Sequence, residues 1–241
     1  MSATRGLIAD TIPFSSVDGP GNRFVVFVQG CNFDCVACHN PHTIAPRSDS
    51  CTSLDVDELL ARIRRVAPFL SGVTVSGGEA TAQWPFVRSL FTAIKANPEL
   101  RTLTCFIDSN GAASSRVWDE LAPVTDGVMV DLKCLDPVIH LALTARRNDL
   151  VLESIRHLAR LHLLAEVRLL LIAGVNDAPV LLRETAEWLA SVDPHMVVKL
   201  IAYRPHGVRE NAAAFETPSV HAMEAARQQF EDVAAFNVRV I

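Results

Sequence analysis

Cys31, Cys35 and Cys38 stand at spacings of four and three in the segment Gln29-Gly30-Cys31-Asn32-Phe33-Asp34-Cys35-Val36-Ala37-Cys38-His39-Asn40. Their thiolates are soft ligands, suited to iron–sulfur clusters or to zinc. A structural zinc site wants a fourth Cys or His, and His39 or His42 is near enough in sequence to serve. Three cysteines alone leave one iron of a four-iron cluster open, and an open iron binds a substrate directly. The spacing, placed at the end of an apolar β-branched run, favours the cluster over a zinc loop or over three unligated thiols. Cys51, Cys105 and Cys134 are isolated and read as ordinary buried or loop residues.

Further polar residues close other apolar runs. Val73-Thr74-Val75 leads into Ser76-Gly77-Gly78-Glu79-Ala80-Thr81, where two glycines admit a close backbone approach and Glu79 offers an acceptor to an ammonium. Alone, such a segment is a turn before a helix. Asp108-Ser109-Asn110-Gly111 and Met129-Val130-Asp131-Leu132-Lys133 each end a run, and either carboxylate taken singly reads as a helix cap. Arg168 lies among apolar residues in Glu166-Val167-Arg168-Leu169-Leu170 and requires an anionic partner, from a structural ion pair or from a ligand.

The elements that must hold these residues alternate. Short β-branched runs over 24–28, 73–75, 103–107, 127–130, 167–172 and 197–202 read as buried parallel strands. Between them, Leu59, Leu60, Ile63 and Val66; Phe86, Leu90, Phe91 and Ile94; Leu152, Ile155 and Leu158; and Leu182, Trp188 and Leu189 recur with helical spacing. About six strand–helix alternations imply right-handed crossovers and an α/β fold, a partial (β/α)6 TIM-like barrel, with its reactive face at the carboxyl ends of the strands. The absence of an internal repeat or Gly/Ser linker predicts a single domain over 1–241.

Composition excludes other classes. With 49% hydrophobic and 20% charged residues the 241-residue chain is globular, and a net charge of −5 without a basic block gives no footprint for nucleic acid. The first residues lack the apolar core of an export signal, and no window is apolar enough to span a membrane, so a cytoplasmic location is expected. In a chain of this length and compartment, crowded cysteines point to a metal rather than to disulfides.

The CxxxCxxC loop, followed one strand later by Gly77-Gly78-Glu79, resembles the radical S-adenosylmethionine (SAM) superfamily. That resemblance implies a partial barrel of the radical SAM type. It also implies one [4Fe–4S] cluster on Cys31, Cys35 and Cys38, with SAM chelated on the remaining iron. Reductive cleavage of the sulfonium then gives a 5′-deoxyadenosyl radical that abstracts a hydrogen atom. The family's usual large residue before the last cysteine is Ala37 here. Ile12 to Gly21, Asp108 to Gly111 and Asp131-Leu132-Lys133 resemble glycyl-radical enzyme activating enzymes of the pyruvate formate-lyase activating type, and Val73 to Thr81, Asp108 to Gly111 and Tyr203 to Val208 are most similar to the YjjW-type subgroup without the ferredoxin-like insertion. Only one cluster is expected, because about fifteen residues separate Cys38 from the next helix and Cys51 stands alone.

By the same resemblance, Gly77, Gly78 and Glu79 bind the SAM amino group. Asp108, Ser109, Met129 and Asp131 surround a monovalent cation, while Lys133 approaches the carboxylate, which is also the ligand candidate for Arg168 beside a structural ion pair. Related activases carry a histidine directly after the aromatic residue at 203. This chain has Arg204 there, and His206 is assigned to the adenosyl portion. The implied partners are a glycyl radical enzyme as protein substrate and a reductant of flavodoxin or ferredoxin type. A radical SAM enzyme acting on a nucleoside or pterin precursor, and a non-catalytic zinc or iron–sulfur module, are the alternatives.

Overall fold

The computed structural model describes residues 4–241; residues 1–3, which open the segment read for an export signal, lie outside the described residues. The chain forms two compact units. The first runs to Asn32 and includes His42–Ser109 and Ala113–Met129. It holds β1 (Arg5–Ser15), β2 (Arg23–Val28), β3 (Thr52–Asp55), α1 (Val56–Arg64), β4 (Gly72–Gly77), α2 (Trp84–Ala96), β5 (Thr104–Ser109), α3 (Ser115–Leu121) and the start of β6 (Gly127–Asp131).

Strands β2, β4 and β5 pair in parallel, with Val26 opposite Val75 and Val75 opposite Ile107. Phe24, Val25, Val26 and Val28 are all buried, as expected of a strand covered on both faces. Strand β1 lies antiparallel to β2, and β3 antiparallel to β1. Helix α1 begins in a capping box, in which Asp55 accepts from the Glu58 amide and Glu58 accepts from the Asp55 amide, and it buries Leu59, Leu60 and Ile63. Helix α2 buries Phe86, Val87, Leu90, Phe91 and Ile94.

Arg23 pins the starts of these strands. Its guanidinium is buried and donates to Thr74 Oγ1 (3.0 Å), Val73 O (2.7 Å), Thr104 Oγ1 (2.6 Å) and Thr104 O (3.0 Å). It also sits 4.7 Å from the Phe106 ring centroid. Burial pulls its pKa down to about 10. Gly72 is required beside it, because a Cβ there would fall 2.2 Å from Arg23 Nη1.

The second unit comprises Phe33–Pro41, Asn110–Ala112 and Val130–Ile241. It contains the end of β6, then α4 (Pro137–Thr144), α5 (Asp149–Arg160), β7 (Leu164–Leu171), α6 (Pro179–Val192), β8 (Val197–Ala202), α7 (Val220–Val233) and β9 (Asn237–Val240). Strands β7, β8 and β9 are parallel, with Leu169 opposite Leu200 and Val198 opposite Val238.

All six strands expected from the sequence are present as β2, β4, β5, β6, β7 and β8, with helices between them, so the α/β class stands. Strands β1, β3 and β9 extend the expected set. Among the described residues no helix is long and apolar enough to cross a membrane.

Candidate functional site

In the first unit, β2 runs out into Gln29–Asn32, and this segment is fixed by main-chain bonds. The amides of Gln29, Gly30 and Cys31 donate to Leu7 O (2.8 Å), Thr43 O (2.8 Å) and Ile44 O (3.0 Å). The Gln29 side chain donates to His42 O and Ala45 O at 3.1 and 2.7 Å. Alongside, the end of β4 closes on the same segment through Gly78 N to Val28 O (2.9 Å) and Glu79 N to Gly30 O (2.8 Å).

Both glycines are obligatory for that approach. Gly77 has φ +116°, and its Cβ would fall 2.2 Å from Val28 N; a Cβ on Gly78 would fall 2.2 Å from Gly30 O. Glu79 is 1% exposed. Its Oε1 accepts from Thr81 N (2.9 Å), Thr81 Oγ1 (2.6 Å) and Ser109 Oγ (2.7 Å). Asp108 accepts from Ser76 Oγ at 2.9 Å. Gly77, Gly78, Glu79, Asp108 and Ser109 therefore gather at the ends of β4 and β5, next to the chain that carries Cys31.

The second unit holds the remainder of the cysteine loop. Asp34 N and Val36 N donate to Thr144 O (3.1 Å) and Leu143 O (2.9 Å), carbonyls of the last turn of α4 that have no partner within the helix. The Phe33 ring meets His140 edge-on at 5.8 Å between centroids. Ala37 packs against Leu143, Ile172 and Tyr203, and the Tyr203 hydroxyl donates to Ala212 O at 2.6 Å. His39 Nε2–H donates to Arg204 O at 3.0 Å. Arg209 forms an ion pair with Asp34, between two of the cysteines in sequence. Burial raises the Cys38 thiol, while the Asn40 amide, Lys133 and Arg209 work against that rise.

Lys133 Nζ donates to Asp131 at 2.7 Å. A small cavity beside it is lined by Cys35, Ala37, Lys133, Leu143, Leu170 and Ile172. Neither Asp108 nor Asp131 caps a helix, since α3 and α4 start from Ser114 and Asp136. Arg168 Nε donates to Glu166 Oε1 at 2.5 Å, and Lys199 Nζ reaches the same oxygen at 2.8 Å. Burial pushes the Glu166 carboxyl up, but the two cations outweigh it and hold the group below its ordinary range. Arg168 Nε is thus engaged with Glu166. Met129 is buried in β6, and His206 is exposed after β8, as is Arg204.

Cys105 and Cys134 are buried, their thiols pushed up by desolvation to about 12 and about 11, in keeping with ordinary core residues. Sequence reasoning passed over Glu166, Lys199, Arg209 and Asn176. Asn176 is buried and anchors the segment after β6, donating to Lys133 O (2.9 Å) and Leu170 O (2.8 Å) while accepting from Ile172 N (2.8 Å). An Asn-Asp pair after an apolar run was the available signal.

The donor set and the backbone fit an iron–sulfur cluster with SAM. The three thiols are half-buried and soft. Among the described residues no three His, Cys, Asp or Glu side chains are gathered as they are around a single ion. A four-iron cube is ligated at separate irons and needs no such convergence. The Gly77–Gly78 backbone lies directly against the main chain of Val28 and Gly30, which puts Glu79 beside the segment that carries Cys31.

A model of the radical SAM superfamily matches residues 25–189. The pyruvate formate-lyase-activating enzyme of Streptococcus mutans is 34% identical over 207 residues, covering 84% of this chain and 79% of that protein. The enzyme of the same name from Staphylococcus epidermidis is 33% identical over 215 residues, covering 86% and 84%. Among solved structures, a domain of a pyruvate-formate lyase-activating enzyme from Bacteroides vulgatus superposes with TM-score 0.59 at 25% identity, covering 70% of this chain and 99% of that one. A radical SAM methyltransferase from Sphaerobacter thermophilus gives TM-score 0.70 over 90% of this chain and 66% of that one; at 20% identity that likeness concerns the fold.

Proposed function

The chain belongs to the radical SAM superfamily, and on that premise we propose that it is an activating enzyme, which takes a hydrogen atom from a glycine in a partner glycyl radical enzyme. What carries this reading is the likeness to named activating enzymes, which runs through 84% of the chain. Cys31, Cys35 and Cys38 would hold one [4Fe–4S] cluster. Gly77, Gly78 and Glu79 would receive the amino group of SAM, Lys133 and Arg168 would face its carboxylate, and His206 its adenosyl portion. Asp108, Ser109 and Asp131, with Met129, would hold a monovalent cation. When bound, the cluster and SAM supply the one-electron chemistry that ends in hydrogen abstraction.

The chain's own residues position and shield. Thr81 and Ser109 fix the Glu79 carboxylate by three donors, so an incoming ammonium meets an acceptor already oriented. Asn176 holds the carbonyl of Lys133 and so the segment that presents its ammonium. Leu143, Leu170 and Ile172 give an apolar wall next to Cys35 that keeps water away. No acid–base pair is needed for abstraction of a hydrogen atom.

The two compact units act as one radical SAM domain in this reading, because the family match crosses both. Electrons come from a flavodoxin- or ferredoxin-type donor, the protein works in the cytoplasm, and neither nucleic acid nor membrane takes part. The test is to mix the reconstituted, reduced protein with SAM and a pyruvate formate-lyase under anaerobic conditions. A glycine-centred electron paramagnetic resonance signal on the partner is expected. Silence with every glycyl radical enzyme of the source organism, while SAM is cleaved, would shift the assignment to a small-molecule substrate.

A further inference from the structure

One ion pair in the second unit lies outside the SAM contacts proposed above. Asp34 immediately precedes Cys35 and lies three residues after Cys31. Its carboxylate is paired with the guanidinium of Arg209, from the loop after β8, 175 residues along the chain. A bond from His39 Nε2 to Arg204 O (3.0 Å) and a ring contact between His39 and Tyr203 (6.2 Å) bring the same loop against the end of the cysteine segment. Arg209 is two-thirds shielded, with 32% of its side chain exposed, whereas Asp34 is 60% exposed. The cation is therefore the less screened of the two charges. The Cys35 and Cys38 sulfurs both lie within its electrostatic reach.

We infer that Arg209, held in place by Asp34, sets the reduction potential of the cluster carried by Cys31, Cys35 and Cys38. The inference rests on the cluster assignment made above. Cluster potentials follow net charge and solvent exposure, and reduction adds a negative charge to the cluster. A fixed cation at the rim of the cysteine loop favours the reduced form. A fixed anion opposes it. The paired arrangement balances the two, and removing either member exposes the other.

The test is an electron paramagnetic resonance-monitored redox titration of the reconstituted holoenzyme, with iron and sulfide content measured first. Arg209→Gln leaves Asp34 alone and is expected to shift the midpoint to more negative potential. Asp34→Asn leaves Arg209 alone and is expected to shift it to more positive potential, with Arg209→Lys close to the parent. A purely mechanical tether would move the first two variants the same way. Same-direction shifts, or no shift in both, overturn the inference. Should Arg209→Gln fail to retain its iron, Asp34→Asn decides alone: a positive shift supports the inference and anything else overturns it. If the parent protein assembles no four-iron cluster, the cluster assignment itself has failed, which is a distinct result.

Discussion

Ser109 Oγ donates to Glu79 Oε1 across 2.7 Å, so the ends of β5 and β4 are joined through the carboxylate assigned to the amino group of SAM. That oxygen has two further donors, both from Thr81. The acceptor is oriented before any ligand arrives, and its geometry depends on a hydroxyl thirty residues away.

Ser109→Ala removes one donor from a buried carboxylate. A hydrogen bond to a charged group is worth about 1.5–3 kcal/mol, so the affinity for SAM should fall by about 10- to 100-fold. Equilibrium binding of SAM to the reconstituted protein checks it. Unaltered affinity would show that Ser109 does not position Glu79.

The two glycine positions Gly78 and Gly174 should respond very differently to alanine. At Gly78 the added methyl meets Gly30 O at 2.2 Å and Thr43 O at 2.7 Å, backbone atoms that cannot step aside without moving the cysteine loop. At Gly174 nothing among the described residues lies within 4 Å, and only φ +70° opposes the change, costing about 1 kcal/mol. Thermal melts and SAM binding should find Gly78→Ala strongly impaired on both counts and Gly174→Ala only slightly less stable. Equal behaviour of the two variants would count against the close main-chain approach at Gly78.

His140 gives the fold a dependence on acid. Burial lowers its pKa from the usual 6.5. Nδ1–H donates to Cys134 O at 3.2 Å, and buried Nε2 has no hydrogen-bond partner among the described residues, so a second proton finds no acceptor there. Since the folded pKa lies below the unfolded one, the contribution is complete above about pH 6.5 and is lost as pH falls toward the folded value. Melting temperature should drop on acidification below pH 6.5 more steeply in the parent than in His140→Gln. Parallel profiles would place the acid sensitivity elsewhere.

Arg23 is a buried cation satisfied by neutral oxygens and one aromatic ring. Lysine has a point charge with no fork and cannot reach three strands at once. Arg23→Lys should cost about 2–3 kcal/mol in chemical denaturation, since several buried acceptors lose their donor. A loss below about 0.5 kcal/mol would mean that the strand starts are held without it.

Much of this architecture was legible because continuous buried runs and helical spacing are local signals. The six runs from Phe24 to Ala202 became strands, and the stripes led by Leu59, Phe86, Leu152 and Leu182 became helices α1, α2, α5 and α6. Strand β9, Asn237–Val240, escaped because it is short and largely exposed. Strand β1 has only Gly6 and Ile8 buried, so its alternation fades into turn-like residues. Helix α7 has a narrow stripe of Met223, Ala226 and Phe230, and α4 is apolar nearly all round; neither gives a clear period.

The site was legible where function fixes short spacings, as in the cysteine loop and Gly77-Gly78-Glu79. It was not legible where partners come from distant chain. Asp34 looks like an ordinary loop acid until Arg209 is brought to it, and Lys199 like a misplaced cation until Glu166 lies beside it.

The central claim is that three thiolates hold a four-iron cluster whose remaining iron takes SAM. Its most direct test is chromatographic detection of 5′-deoxyadenosine after dithionite reduction of the anaerobically reconstituted protein with SAM, alongside Cys35→Ala. Product is expected from the parent and none from the variant. A parent carrying an intact cluster yet yielding no 5′-deoxyadenosine, or a Cys35→Ala protein that still yields it, would contradict the account.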